Sequence, residues 1–518
     1  MPEHLHREAN ALLDELGHLP LAITQASAFM IEKKVTISEY LDLFRRADSS
    51  PDEVLSKTFQ DPRRDCQSEN SVMTIMMLSL DHIKKKSPRS AAILSTMANL
   101  DRSGIPVPLL YRDGESQVQF REALGVLKAF SLVLADEEGA NFQIHPLVQL
   151  STHRWLQING QDSLYAQETL MIVSEKFPST EMMRIEAVTT WDLCKKLLPH
   201  ALRVEMIEPT SEKAKLAKAR LQMKIGEYEL VQGRTGHSIL WHRRAAQGFS
   251  DIKNIDVDNQ VTTEFSASQN LSDLAMALSM AGFNEESERL HHQAIVGTEK
   301  LLGKDHPLTM AMLLRRVLNL NFERRFRESS RLCYGIYDTR ITLLGKDHPD
   351  TLDTLSCWTT ALEWLGKFEE CESLGRRAVN GMRRCLPPHH PMLYFATSRL
   401  SAILQKLGKT KEAEALARET VRSRLEIYGS ESPMLPWSVR VLSLALRDQG
   451  KLDEAFKYSK QAFEITENVM GRLHIITLIA IVNLAFLQYG SGRYKEPRFC
   501  MKTVSRGCRK NMAHGTLL

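Results

Sequence analysis

The C-terminal half of this 518-residue chain repeats itself every 42 residues. Six positions keep that step: Gly282, Arg324, Gly366, Gly408, Gly450 and Gly492. The hexapeptide Leu-Gly-Lys-Asp-His-Pro at 302–307 recurs one step later at 344–349 and then decays in the following units. A fixed period of this length predicts stacked supersecondary units rather than one globular core. Because such solenoids present extended binding surfaces, the period indicates a binding protein before it indicates an enzyme.

Each 42-residue unit is predicted to contain two helices. Apolar residues at helical spacing cover Thr351 to Leu365, glycine at 366 ends that helix, and a second helix runs from Phe368 to Cys385. The positions five and twelve residues after each mark carry mostly small residues, which predicts that helices approach each other closely there. These positions are Ser287, Ser329, Cys371, Ala413, Ala455 and Pro497, and Ala294, Ile336, Ala378, Thr420, Ala462 and Val504.

The hexapeptide is predicted to link consecutive units. Gly303 and Gly345 favour a left-handed cap at the end of one helix. The Asp-His-Pro segment that follows is suited to begin the next helix, since Pro349 has a fixed φ and needs no N–H donor at a first helical position.

These units resemble the tetratricopeptide repeat, in the 42-residue form of kinesin light chains and fungal NLR-like proteins. Asn483-Leu484-Ala485 matches the family phrase before the glycine, and Gly408 with Lys409, Glu412, Ala413 and Glu414 matches the phrase around it. The resemblance covers about residues 221 to 510. It includes a degenerate unit around Gly233, whose seven inserted residues are predicted to lie in the polar loop from Ser250 to Gln260. It implies a right-handed tetratricopeptide α-solenoid over 221–512, with a tail at 513–518.

Residues 1–58 are predicted to form a small helical subdomain. Helical stripes precede and follow the turn Gly17-His18-Leu19-Pro20, and Ser38 is suited to cap a further helix from Glu39 to Arg46. The phrase Leu19-Pro20-Leu21-Ala22 is similar to the first subdomain that follows the nucleotide core of NB-ARC ATPases. In that family the proline, here Pro20, lies beside the adenine, although His18 replaces the usual glycine neighbour.

A polar stretch at 59–71 is predicted to be a linker, followed by a winged-helix-like domain at 72–158. Helices at about 72–85, 88–99 and 116–129 precede a hairpin that pairs 131–135 with 141–144. The hairpin leads into His145-Pro146, which resembles the Met-His-Asp motif of NB-ARC proteins with proline in place of the aspartate. The resemblance assigns the diphosphate-sensing role to His145. Residues 159–220, with Trp191 and Cys194, are similar to the fungal helical connector.

No phosphate-binding loop accompanies these family-like positions. The motif Gly-x-x-x-x-Gly-Lys-[Ser/Thr] holds nucleotide phosphates through backbone amides and its lysine. The single Gly-Lys-Thr, at Gly408, has Ile403 at the upstream glycine position and falls in a repeat turn. We therefore expect structural roles for Pro20 and His145 and no bound cofactor.

Other classes of function lack the residues they need. The segment 72–157 carries nine Lys or Arg and eight Asp or Glu, which argues against nucleic-acid binding by the winged-helix-like domain. The histidine pairs at 291–292 and 389–390 do not have chelating geometry, so no metal is expected. No catalytic Ser/His/acid constellation stands out, and the apolar stretch Ile475 to Leu487 is too short to span a bilayer. Eight cysteines without a Cys-x-x-Cys motif, together with a polar N-terminus, favour a cytoplasmic protein with reduced thiols.

The candidate binding residues lie nine positions before each mark, on the first helix of each unit, which lines the inner surface of tetratricopeptide arrays. This row reads Asp273, Arg315, Cys357, Arg399, Val441 and Asn483. Arg315 and Arg399 are suited to bind carboxylates through their planar forks. Asn483 retains the asparagine with which kinesin light chains bond a peptide backbone. The predicted peptide groove therefore comprises Asp273, Arg315, Arg399 and Asn483.

The sequence is accordingly interpreted as all-α and non-catalytic, an NLR-like protein without the ATPase core whose repeats bind a protein or peptide. Self-association is possible in such an array. One alternative is a nucleotide-dependent switch whose phosphate-binding core lies upstream in a longer product. A second is a cargo adaptor like kinesin light chains, although residues 1–220 lack the heptads expected of one.

Overall fold

The computed structural model describes residues 3–16, 20–48, 66–180, 191–253, 257–428, 435–472 and 475–490. This part of the chain is all-α, with 22 helices and one small sheet. It divides into two compact units: residues 1–177 with 195–218, and residues 178–194 with 219–518.

The first unit contains the non-repetitive helices of the chain. They are α1 (Glu3–Glu15), α2 (Pro20–Lys33), α3 (Ile37–Asp48), α4 (Cys66–Lys86), α5 (Pro88–Asn99), α6 (Gln117–Ala129), α7 (Pro146–Ile158) and α8 (Asp162–Lys176), with most of α9 (Trp191–Glu205). Their buried apolar side chains include Ile93, Leu94, Leu127 and Phe130, so this unit has a hydrophobic core of its own.

Two local expectations for this unit were wrong. Thr36, not Ser38, caps α3, because the Thr36 hydroxyl accepts from the backbone N–H of Glu39 and the Glu39 carboxylate accepts from the N–H of Thr36. The helix α4 begins at Cys66, so residues 66–71 are helical and do not belong to a linker. Residues 17–19 and 59–65 of the predicted turn and linker lie outside the described residues.

The predicted hairpin is confirmed. Strands β2 (Val133–Ala135) and β3 (Asn141–Ile144) pair antiparallel, with Val133 opposite Ile144. A further short strand, β1 (Ile105–Pro106), pairs with the other edge of β3, which gives the sheet order β1-β3-β2. The sequence analysis did not include β1, because two residues are too short to show a period.

The second unit is a tetratricopeptide-type α-solenoid built from helix pairs. After α10 (Glu212–Val231) and α11 (Thr235–Ser250), the first helices of the pairs are α12 (Val257–Met280), α14 (Pro307–Phe322), α16 (Pro349–Trp364), α18 (Pro391–Lys406), α20 (Leu435–Asp448) and α22 (Ile475–Gly490). The second helices are α13 (Asn284–Leu302), α15 (Phe326–Leu344), α17 (Phe368–Cys385), α19 (Thr410–Tyr428) and α21 (Leu452–Met470).

The repeat marks are the turns between the two helices of each pair. Each described mark has positive φ, from +60° at Arg324 to +90° at Gly282. Glycine adopts this conformation without steric cost, which explains why it recurs at this step. Gly233 shares the conformation, with φ +73°, so the degenerate unit keeps the same turn.

The small residues of the repeat lie where the helices pack, as predicted. Those described at five and twelve residues after the marks are all buried: Ser287, Ser329, Cys371, Ala413, Ala455, Ala294, Ile336, Ala378, Thr420 and Ala462. Apolar residues of successive units share continuous core clusters, such as the one joining Met310 to Ala445. Each unit therefore completes its core on its neighbours.

The Asp-His-Pro segments begin the next helices, as predicted, and the histidine is the capping residue. The Nδ1 atoms of His306, His348 and His390 accept from the N–H two residues later, and proline follows each histidine as the first helical residue. Gly303 has the predicted positive φ of 92°, but its ψ of 162° is extended, so the preceding helix does not end in a left-handed helical residue.

The insertion between Gly233 and Gly282 lengthens a helix. The helix α12 has 24 residues, against 16 in α14 and α16. Residues 257–260 of the predicted polar loop thus belong to α12, and 254–256 lie outside the described residues.

Candidate functional site

The first helices of the repeats line one side of the solenoid. Each first helix from α12 to α20 packs against its partner and also contacts the first helix of the next pair. Within the described residues, successive second helices do not contact one another to a comparable extent. Because neighbours approach most closely on the inside of a curved stack, the first helices form the inner surface.

At the N-terminal end of this surface, two predicted groove residues pair with each other. The guanidinium of Arg315 on α14 forms an ion pair with the carboxylate of Asp273 on α12. Asp273 is buried. Arg315 therefore already has a carboxylate within the chain, and the two side chains join consecutive units.

At the opposite end, Asn483 is also engaged within the repeats. It is buried on α22, and its Nδ2 donates to the hydroxyl of Ser459 on α21 at 2.9 Å. Val441, in the same row, is buried as well. The row is thus not uniformly open: its two ends contribute to packing.

Arg399 differs from these residues because it has no carboxylate partner. Its guanidinium carbon lies 5.3 Å from the centre of the Phe395 ring, one turn earlier on α18. Its Nε donates to the hydroxyl of Thr359 over 3.4 Å, and no acidic side chain of the described residues lies within ion-pair distance. Desolvation lowers the pKa of Arg399, although an arginine remains charged near neutral pH.

Arg440, on the adjacent first helix α20, repeats this arrangement and was missed by the sequence analysis. Its guanidinium carbon lies 4.8 Å from the centre of the Trp437 ring. Its Nε is buried without an acceptor, and no carboxylate among the described residues pairs with it. Desolvation lowers the pKa of Arg440 as well. In the sequence, the aromatic residue three positions before Arg440 on the same helix could have indicated this arrangement, whereas the 42-residue row does not include Arg440.

A carboxylate lies on the other side of Arg399, on the first helix α16. Burial raises the pKa of Asp353 to about 6, with the charge of Arg340 acting in the opposite direction. No cation of the described residues is within ion-pair distance of Asp353. Cys357, one turn later, is influenced by the charges of both Asp353 and Arg399, and its pKa is raised well above the usual thiol value by burial. Its thiol is not a reactive nucleophile.

An aromatic stack borders this region at the turn end of α16. The rings of Trp364 and Phe326 are stacked with centres 5.4 Å apart, and the Nζ of Lys406 lies 5.7 Å from the centre of the Trp364 ring. Lys406 is neutralised by Glu363 at 2.7 Å. Trp364 is still 65% exposed, so its ring is available for contact at the rim of the inner surface.

Pro20 and His145 have ordinary structural positions. Pro20 is exposed and is the first residue of α2. His145 is exposed and caps α7, with its Nδ1 accepting from the N–H of Leu147 at 3.1 Å. This is the same histidine-proline cap that begins the repeat helices at His306 and His348. The local sequence at 145 is therefore explained by helix capping.

Among the described ranges, no cluster of three or more His, Cys, Asp or Glu side chains has the proximity needed to hold a metal ion. None of the helices in those ranges combines the length and the apolar character that a membrane span requires.

Family models agree with this architecture. Two models described as tetratricopeptide repeat match the chain, one at residues 436–498 and the other at residues 271–308 and 396–433. Both the unpaired Arg399 and the unpaired Arg440 lie inside these matched ranges.

Known proteins are similar to parts of the chain. A nucleotide-binding leucine-rich repeat (NLR)-like protein of Hyaloscypha variabilis is 30% identical over 243 residues, which is 46% of this chain and 24% of that protein. The chain thus spans about a quarter of that relative's length. A structure from Podosopora anserina, described as a kinesin light chain with nearly identical TPR-like repeats, is 20% identical over 40% of this chain and 97% of its own, with TM-score 0.34.

A Rap protein complexed with Competence and Sporulation Factor is 11% identical over 85% of this chain and 99% of its own, with TM-score 0.46. The repeat segment of the chain is therefore a tetratricopeptide solenoid, and a fungal NLR-like protein is its relative at 30% identity.

Proposed function

We propose that the chain is a non-catalytic scaffold or sensor of an NLR-like signalling protein, and that its inner repeat surface holds a segment of a partner protein. The observation that carries this proposal is that two guanidinium groups on neighbouring first helices, those of Arg399 and Arg440, have no ion-pair partner among the described residues. A solenoid offers an extended surface for such a segment.

The surroundings of these two arginines favour an acidic ligand group. An aromatic ring lies against each guanidinium and limits its conformations, and a ligand carboxylate would bind the terminal nitrogens. Partial desolvation weakens the competition from water, so that a charge-assisted bond formed here is stronger than one on an open surface.

The proposed position for an acidic ligand group lies farther along the array than the row predicted from the sequence. Arg315 is neutralised by Asp273, and it therefore offers less attraction to a ligand carboxylate than an unpaired arginine. The proposed subsite accordingly comprises Arg399 and Arg440, and Arg315 serves to join α12 to α14.

A selection from random peptides tests this proposal. The full chain is immobilised and used to enrich displayed dodecapeptides, and the same selection is carried out with the double variant Arg399→Gln and Arg440→Gln. We expect wild type to enrich peptides with acidic residues and the double variant to lose that enrichment. The matched control is Arg422→Gln, because Arg422 is an exposed arginine whose partner, Glu426, lies on the same helix. Failure of wild type to enrich any peptide would contradict the proposal.

A second candidate function is a nucleotide-dependent switch. It is favoured by the name of the relative in Hyaloscypha variabilis, which includes nucleotide binding. For the chain of 518 residues we expect neither ATP hydrolysis nor retained ADP, because the sequence carries no phosphate-binding loop. Chromatography of nucleotides released by acid from gently purified protein tests this. A stoichiometric adenine nucleotide would favour the switch over the scaffold.

A further inference from the structure

The inner surface carries charges of both signs in a fixed order. Asp353 is on α16, Arg399 on α18 and Arg440 on α20, and each of these helices contacts the next one in this set. None of the three charged groups has an ion-pair partner among the described residues. Three charges without an ion-pair partner on three consecutive first helices are a pattern that a ligand can complement.

The groups around Asp353 do not neutralise it. The buried Arg340 directs its Nη1 to the carbonyl oxygen of Asp350 at 2.6 Å and to the hydroxyl of Thr354 at 2.8 Å. Its charge lowers the pKa of Asp353, while burial and the charge of Asp350 raise it, and burial is the largest influence. Asp353 therefore carries a desolvated carboxylate near neutral pH that a cation would stabilise.

The spacing of the three charges suits an extended chain. Packed helices lie roughly 10 Å apart, and an extended peptide rises about 3.3 Å per residue, so successive subsites are about three residues apart. Asp353 and Arg399 do not pair with each other, because neither has an ion-pair partner among the described residues. The position for a basic ligand residue, at Asp353, is thus distinct from the neighbouring position for an acidic ligand residue, at Arg399.

We infer that the inner surface selects a protein segment of mixed charge, with a basic side chain at Asp353 and acidic side chains at Arg399 and Arg440. This inference rests on the proposed function and adds to it a position for a basic ligand residue. A peptide in which the basic and acidic residues are exchanged would place like charges together at all three positions. A carboxylate in the middle of the array also disfavours a uniformly anionic ligand such as a nucleic acid.

The first part of the test is a selection with Asp353→Asn, using the full chain and the same displayed dodecapeptides. Wild type is expected to enrich peptides in which a basic residue lies about three residues from the nearer of two acidic residues. The isosteric variant should retain the acidic preference and lose the basic one. Thermal melting of the variant confirms that it is folded.

The second part measures coupling with synthetic peptides. The best selected peptide, a counterpart with its basic and acidic residues exchanged, and a version with glutamine in place of the basic residue are titrated against wild type and Asp353→Asn. We expect about fivefold weaker binding for each single change, and no further loss when both are combined.

Three results decide between the possibilities. If Asp353→Asn enriches the same basic residue, or if the charge-exchanged peptide binds as well as the original, the inference is overturned and the proposed function remains. If wild type enriches no peptide, both are overturned.

Discussion

Arg324 occupies the one described repeat mark without glycine, and this exception leads to a prediction at the scale of single residues. Its φ is +60°, and its exposed side chain has no hydrogen bond or ion pair among the described residues. A side chain in this conformation costs roughly 1 kcal/mol relative to glycine. Arg324→Gly should therefore raise the free energy of unfolding by about 1 kcal/mol, measured by urea denaturation. Arg331→Gly, in the interior of α15, should lower it by a similar amount.

Two buried histidines make the repeats sensitive to acid. Burial lowers the pKa of His242 to about 4 and that of His291 to about 3, from the ordinary value of 6.5. Below pH 6.5 the unfolded chain binds protons that the folded chain does not, so stability decreases as the pH falls, with a limiting slope of about 1.4 kcal/mol per pH unit for each histidine. Well above pH 6.5 neither histidine contributes a slope.

Urea denaturation between pH 5 and 7.5 measures this dependence, and His291→Leu isolates one contribution. Both ring nitrogens of His291 are buried without a partner among the described residues, so an apolar replacement leaves no polar group unsatisfied. For His291→Leu, the free energy of unfolding should change less steeply with pH than it does for wild type. Asp353 acts in the opposite direction, because its folded pKa of about 6 is raised above 3.8. Its contribution cancels in the comparison of the two proteins.

Individual site residues were only partly predictable from the sequence. The 42-residue step identified Arg399 but also included Arg315 and Asp273, which pair with each other. That pairing follows from the step itself, since opposite charges exactly one unit apart lie side by side on contacting helices. Arg440 lies one position away from the row, and only the three-dimensional packing shows that it is unpaired.

Helices and their contacts were more predictable than individual charges. The second helix of the unit at 366 was predicted from Phe368 to Cys385, as the structure has it. Helical periodicity and close-packing small residues act locally and repeat several times, which makes them visible in one sequence. The lengthened α12 was not visible, because polar residues at its start carry no apolar period.

Substitution of a small residue at a helix contact should damage the array. Ala413 on α19 is fully buried, and its carbonyl oxygen accepts from the hydroxyl of Ser401 at 2.7 Å. Ala413→Asp places an unpaired carboxylate in this contact and should lower the free energy of unfolding by about 3 kcal/mol or more. Ala415→Asp, two residues later on the exposed face, should change it by less than about 0.5 kcal/mol. Equal effects in thermal melting would contradict the assigned helix contact.

Ion pairs on the second helices also follow the 42-residue step. In one series, the arginine ten positions after a mark pairs with the glutamate four positions after the next mark. In the other series, the basic residue directly after a mark pairs with the glutamate six positions after the previous mark. The pairs are Arg243–Glu286, Arg376–Glu412, Arg418–Glu454, Arg325–Glu288, Lys409–Glu372 and Lys451–Glu414. They join consecutive units, most of them through exposed side chains, whereas the carboxylates of Glu372 and Glu414 are largely buried.

Each exposed pair should contribute little to the free energy of unfolding. In one such pair, the side chains of Arg376 and Glu412 are 39% and 43% exposed. A double-mutant cycle with Arg376→Gln and Glu412→Gln should give a coupling energy of about 0.5 kcal/mol at low salt, declining towards zero in molar salt. A coupling that persists in high salt would show that the pair is more strongly desolvated than the structure indicates.

At the scale of the whole molecule, the sequence predicts the structure of the repeats more fully than that of the non-repetitive first unit. The repeats were recognisable because each unit restates the same physical constraints. The first unit was assigned from single motifs, and His145-Pro146 illustrates the difficulty, since the same dipeptide type caps helices throughout the repeats. A motif that also satisfies a local capping requirement carries little information about a ligand.

The two compact units should respond independently to damage in the repeats. Stability in a solenoid is shared between neighbouring units, whereas the first unit has its own core around Ile93 and Phe130. In Ala413→Asp, hydrogen exchange measured by mass spectrometry should accelerate most in α18 to α20 and remain unchanged in α5 and α6. Ala415→Asp should leave both regions as in wild type. If exchange in α5 and α6 accelerated together with the repeats, the chain would unfold as one cooperative unit and the division between the two cores would not hold energetically.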